Sequence, residues 1–252
     1  MIKIRDIMTK DITYYDEDFE GRLKEYCIRK DISFLPDLDQ KNTFFVKGDS
    51  FKSCEINERL KIYSDQYAFD ESLVEKFNTD QNILFAYDQN VLVGIIHISD
   101  YNRTEVYTYL YQLIANLERH LRKLLELKNC TDKDMLKFFE VHSDNDYYKE
   151  QYNKYSNKLQ DKSIQAGPFE LFDLRDLVAL CKSKKIIKID ERIPELRNRV
   201  MHSRSSITPK SYNEHVLVYN FESLKSFFDD VIKLLRELRR VTNLVRIEME
   251  KL

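Results

Sequence analysis

Apolar and polar positions follow two different patterns along the chain, with the change near residue 103. Before it, short apolar runs alternate with polar turns. "ILFAY" and "VLVGIIHI" flank "DQN" and read as two strands around a turn, while Asp70 offers a carboxylate to the free N–H groups of a helix starting at "ESLVEKF". An earlier stretch repeats that order: a helix at "GRLKEYCIRK", a strand at "ISFLP", a turn at "LDQKN" and a strand at "TFFVKG". Aligning Asn42 with Asn90 gives an offset of 48 residues, the size of one supersecondary unit used twice.

From Glu105 onward the spacing becomes helical. Val106, Leu110, Leu113, Leu117, Leu121 and Leu124 recur every three or four residues, and Leu224, Phe227, Phe228, Val231, Leu234, Leu235, Leu238, Val241 and Val245 do the same near the end. Between them, "SDNDYYKEQYNKYSNKLQDKS" is either a charged helix or a poorly packed excursion, and a break at Gly167-Pro168 precedes a further helical run, "FELFDLRDLVALCKSK". The expected fold class is α+β: an N-terminal α/β domain over 1–103, followed over 104–252 by an all-α bundle of four or five helices.

Charge narrows the choice of partners. The 41 lysines and arginines nearly balance 43 aspartates and glutamates, so a net charge of -2 exerts no global pull on nucleic acid and any affinity must come from a local patch. Cys27, Cys54, Cys130 and Cys181 are scattered without a CxxC pair, which suggests neither a zinc site nor a disulfide framework and fits a reduced, cytoplasmic setting. "VLVGIIHI" is far short of the roughly 20 residues that span a bilayer, and "MIKIRDIMTKDI" lacks the apolar centre of a signal peptide, so no membrane partner is expected.

The doubled unit resembles a pair of CBS domains (cystathionine beta-synthase type). "IRDIMTKDITYYDED" is similar to the entry into a first module, and "VLVGIIHISDYNR" to the closing strand and helix start of a second. In that family a Gly-apolar-apolar-Ser/Thr-x-x-Asp pattern lines an adenine-nucleotide site, which places Gly94, His97 and Asp100 at a nucleotide here. Gly94 permits close backbone approach and Asp100 can accept two hydroxyl hydrogen bonds; His97 stands where the family has Ser/Thr. Asp100 also suits a purely structural role as a helix cap. In the first copy, Lys52 occupies the position of Asp100 and no glycine matches Gly94, so one nucleotide is expected rather than two. A pair that serves only as a dimerisation platform stays open.

In "RIPELRNRVMHSRSS" four arginines surround a histidine. The stretch resembles the Arg-x(4–6)-His signature of HEPN domains (higher eukaryotes and prokaryotes nucleotide-binding), helical bundles of which many are metal-independent ribonucleases acting as dimers. The resemblance implies Arg197, Asn198 and His202 as catalytic residues, with Arg199 and Arg204 on flanking phosphates of RNA. The chemistry is suited to it. RNA carries its own nucleophile, so a group titrating near neutrality and a fixed cation suffice, with no cofactor for catalysis; histidine and arginine supply these. No metal-ligand spacing accompanies the motif, and any adenine nucleotide would be regulatory.

Geometry adds a constraint. At about 100° per residue, positions five apart diverge by about 140° and positions four apart by about 40°. Asn198 and His202 share a face of a regular helix, whereas Arg197 and His202 do not. Either the helix loosens near Met201 or a second copy of the chain completes the site. Pro194 suits the first turn of that helix. In the alternative reading the arginines pair with acids such as Glu195 and His202 caps a helix end; "NLERHLRK", with Glu118, Arg119, His120 and Arg122, reads as a solvated face. The expected function is a metal-independent endoribonuclease of toxin or defence type, the alternative being a non-catalytic dimer that binds RNA, a nucleotide or a protein.

Overall fold

The computed structural model describes residues 1–30, 32–39, 42–79, 81–160, 165–202, 217–218 and 220–251, His202 by its backbone only. The fold is mixed α+β, with small sheets in the N-terminal part and helices in the C-terminal part. The chain divides into two compact units, residues 1–109 with 209–228 and residues 110–208 with 229–252.

The first unit holds α1 (Ile4–Ile7), α2 (Glu20–Lys30), α3 (Glu71–Val74) and two three-stranded sheets. In one, β1 (Phe34–Pro36), β2 (Thr43–Val46) and β3 (Lys52–Glu55) are antiparallel neighbours in that order. In the other, β4 (Lys61–Tyr63) runs parallel to β5 (Ile83–Asp88), and β6 (Val91–His97) pairs antiparallel with β5. Five of the six residues of β5 are buried, as expected of a strand covered on both faces. Phe44, Ile56, Leu60, Phe85 and Tyr87 form one apolar cluster drawn from both sheets.

The repeat is visible in the backbone. Each hairpin, β1–β2 and β5–β6, follows a helix, and the second strands begin at Thr43 and Val91, 48 residues apart. Each first strand also has a parallel partner: Asp37, just past β1, bridges Tyr15, and β5 pairs with β4. The copies then diverge. After β2 the chain adds the polar edge strand β3, whereas after β6 it turns through a 3₁₀ segment, Ile98–Asn102, into a long helix.

That helix is α4 (Thr104–Leu127); from Leu110 it belongs to the second unit, with α5 (Asp132–Val141), α6 (Asp146–Gln160), α7 (Leu174–Ser183), α8 (Arg192–His202) and the greater part of α9 (Phe221–Met249). The tyrosine-rich stretch is thus a helix. Its Tyr155 is buried, with ring centroids 4.7 Å from Phe172 and 6.0 Å from Phe139, so aromatic packing holds a segment whose other residues are largely polar. Among the described residues no helix is long and apolar enough to cross a membrane.

Candidate functional site

Two places bring polar side chains together, one in each unit. In the first unit, Thr9 exchanges backbone hydrogen bonds with Ile95 (2.8 and 3.0 Å), which lays the segment after α1 along the outer edge of β6. At the end of β6, His97 is the N-cap of the 3₁₀ segment: its Nδ1 accepts from the Ser99 N–H at 3.1 Å and lies 2.7 Å from the Ser99 hydroxyl. That geometry uses the neutral imidazole as acceptor and leaves the proton on Nε2. Asp100 closes the reciprocal bond, its Oδ2 accepting from the His97 N–H at 2.7 Å, while its Oδ1 accepts from Arg103 Nε at 2.8 Å. Arg103 donates onward to the Thr9 hydroxyl (2.6 Å) and the Met8 carbonyl (3.3 Å).

Asp100 is therefore both a cap and the anchor of an arginine that ties α1's exit to the end of β6. Its exposure is 7%, and burial pushes its carboxyl above the usual range, with the His97 N–H and Arg103 pulling the other way. Each oxygen has one lone pair left, so a ligand hydroxyl would add to these bonds rather than replace them. Gly94 is explained by packing: a Cβ there would collide with Met8 Sδ and stand 2.8 Å from Met8 Cγ. Lys52, offset by 48 from Asp100, is the exposed first residue of β3.

Beside this turn lies a cavity of about 600 Å³ bordered by Thr9, Asp11, Ser33, Asn82, His97 and Asp100, among others. Its lining mixes hydroxyls, an amide, an imidazole and one lysine, Lys30, with apolar walls from Phe34 and Ile95. Asn82 Oδ1 is buried there without a hydrogen-bond partner among the described residues.

In the second unit the motif sits on α8. Ile193, Leu196 and Val200 are buried at three- and four-residue spacing, which turns Glu195, Asn198 and Arg199 outward. The helix keeps α geometry through Met201 to His202, so it does not loosen there. Arg197 Nη1 donates to Asn198 Oδ1 at 3.2 Å, and Arg197 Nε lies 3.9 Å from Glu118 Oε1 of α4 without a hydrogen bond of its own. Glu118 also takes a hydrogen bond from Arg122 at 3.3 Å, and Arg122 donates to the carbonyls of Phe169 and Phe172 at 3.1 Å each. Burial raises the Glu118 carboxyl above the usual range against the opposing pull of Arg122 and Arg197.

Glu118 and Arg122 are thus interior groups, and the reading of "NLERHLRK" as a solvated face fails for them: their side chains are 17% and 22% exposed. Arg199 pairs with Asp230 of α9 at 3.2 Å, and Arg192 approaches the same carboxylate at 3.6 Å. The side chain of His202 and the whole of Arg204 lie outside the described residues.

Behind Arg197 is a group that the sequence pattern hides. Asp176 on α7 is fully buried; its Oδ1 accepts from the Tyr147 hydroxyl at 2.9 Å, and its Oδ2 has no partner among the described residues. Burial, followed by the charge of Asp173, raises its carboxyl to about 7. Asp176 lies in the apolar run "LRDLVAL", where one acid per turn looks like an ordinary outward residue. Glu118 carried a fairer signal, since its i+4 arginine marks a possible intrahelical pair.

No protein-family model matches the chain, and no curated protein matches its sequence.

Proposed function

We propose that the chain is an endoribonuclease of the HEPN type, acting as a homodimer through Arg197, Asn198 and His202. In this reading the N-terminal unit is a CBS-like pair that holds one adenine nucleotide and regulates cleavage. The observation that carries it is the setting of Arg197: the guanidinium is partly buried, faces Glu118 at 3.9 Å and donates to its neighbour Asn198. A solvated charge cluster requires no buried carboxylate beneath one of its arginines. Such a carboxylate fixes the guanidinium, which is what a cation needs in order to meet charge that develops on a phosphate.

The reaction follows from these groups. As the ribose 2′-oxygen bonds to phosphorus its proton passes to a neutral His202; the P–O5′ bond breaks and O5′ takes up a proton, leaving a 2′,3′-cyclic phosphate and a 5′-hydroxyl. Arg197 stabilises the added negative charge, and Asn198, on the same face as His202, orients the ring or the substrate. Because α8 stays regular to His202, the divergence of about 140° between Arg197 and His202 favours a site shared by two copies of α8. The step needs no metal or cofactor, since nucleophile, base and cation are all supplied. Such an activity suits a conditional toxin or defence enzyme acting on cytoplasmic RNA.

The test is incubation of the purified chain with single-stranded RNA. Fragments ending in 2′,3′-cyclic phosphate are expected, and linear 3′-phosphate or 3′-hydroxyl ends as the primary products would refute the mechanism. One observation favours the second reading, a non-catalytic dimer that binds RNA, a nucleotide or a protein: Arg199 and Arg197 both face carboxylates of their own chain. Tight RNA binding without fragments would select it.

A further inference from the structure

Two hollows of the first unit share a wall. Besides the cavity next to His97, a second of about 500 Å³ is lined by Thr13, Phe19, Arg22, Leu23, Tyr26 and Arg29. Thr13 and Tyr26 border both, so they form one continuous cleft. Phe19, Arg22, Leu23, Tyr26 and Arg29 recur at three- and four-residue spacing and occupy one face of α2, opposite to a stripe that would bury itself in a core. Phe19 is half exposed, and Arg22 and Arg29 are exposed.

The two arginines are held flat. Arg22 lies 5.9 Å from the Phe19 ring centroid and Arg29 5.8 Å from that of Tyr26. A guanidinium stacked on a ring keeps its in-plane N–H donors free, and among the described residues no carboxylate pairs with Arg22, Arg29 or Lys30. The cleft is therefore graded in charge. Its inner part offers Asn82, Ser33 and His97 together with the acids Asp11 and Asp100; Lys30 stands at the junction; the outer part offers two guanidiniums.

We propose that the ligand of this cleft carries a chain of at least two phosphates, a nucleoside di- or triphosphate, whose uncharged end enters beside Asn82 and His97 and whose phosphates run past Thr13 and Tyr26 to Arg22 and Arg29. The proposal rests on the nucleotide reading of the first unit. A monophosphate satisfies Lys30 and leaves both guanidiniums without an anion. The acids of the inner part disfavour further negative charge there, which fixes the direction in which the phosphates leave.

Calorimetric titration of the full chain with adenosine, AMP, ADP and ATP at low salt tests it. Affinity is expected to rise from AMP to ATP by about tenfold, the size that two partly exposed charge-assisted contacts contribute. The surface double substitution Arg22→Gln with Arg29→Gln is expected to bring ATP down to the affinity of AMP and to leave AMP unchanged. Equal binding of AMP and ATP, or ATP binding that ignores the double substitution, overturns the proposal while the nucleotide reading stands. No binding of any of the four removes both. If single-stranded RNA binds more tightly than ATP and is lost in the same variant, the outer groove belongs to RNA and the proposal also falls.

Discussion

Asp176 shows how far burial changes a single carboxyl. In an unfolded chain it titrates near 3.9; in the fold, desolvation together with Asp173 raises it to about 7. The native state therefore holds a proton that the unfolded state has released between those values, and linkage makes stability highest below about pH 4 and lower as pH rises towards 7. Asn mimics the protonated acid and can still accept from Tyr147. Asp176→Asn is thus expected to raise the urea-unfolding free energy at pH 8 by on the order of 2 kcal/mol and to change it little at pH 5. An equal gain at both values would mean that the acid is not protonated in the fold. Sequence pattern could not reveal this group, because an aspartate between leucines announces its burial only when the helix's neighbours are known. The motif residues were easier to find: Arg197 and Asn198 were legible from their spacing to His202, but the acid facing Arg197, Glu118, comes from a helix about eighty residues earlier.

Among the elements, strong periodicity was legible and polar segments were not. The hairpin β5–β6, α4 and α9 follow their apolar spacing, whereas β3, reading "KSCE", has no alternation and exists because β2 offers it an edge, Phe44 standing opposite Cys54. Helix α5 did carry a local signal, Thr131 and Asp134 forming a reciprocal cap, with the Thr131 N–H donating to Asp134 at 2.9 Å. In β6 the glycine answers to α1's exit. Gly94→Ala forces Met8 aside and is expected to cost about 1–3 kcal/mol, the range of an overpacked core. Met8→Ala removes the obstacle, so the double variant should be less destabilised than the sum of the single ones in urea unfolding. Strict additivity would show that Met8 does not set the requirement for glycine.

At the scale of the whole molecule, the change of pattern near residue 103 reflects a real change of architecture, from paired sheets to helices. The sequence did not disclose that residues 209–228 group with the first unit, because Leu224, Phe227 and Phe228 continue the same apolar stripe as the rest of α9. Their partners there are Phe69, 5.6 Å from Phe227 and 5.3 Å from Phe228, and Tyr101, 5.1 Å from Phe228. Helix α9 thus supplies aromatic packing to the ligand-binding unit and, further along, Asp230 to the arginines of α8. The central claim remains that α8 cuts RNA. Its most direct test is single-stranded RNA incubated in EDTA with the wild-type chain and with His202→Ala, both confirmed as folded by circular dichroism. The account predicts cleavage by the first and none by the second; equal cleavage by both would contradict it.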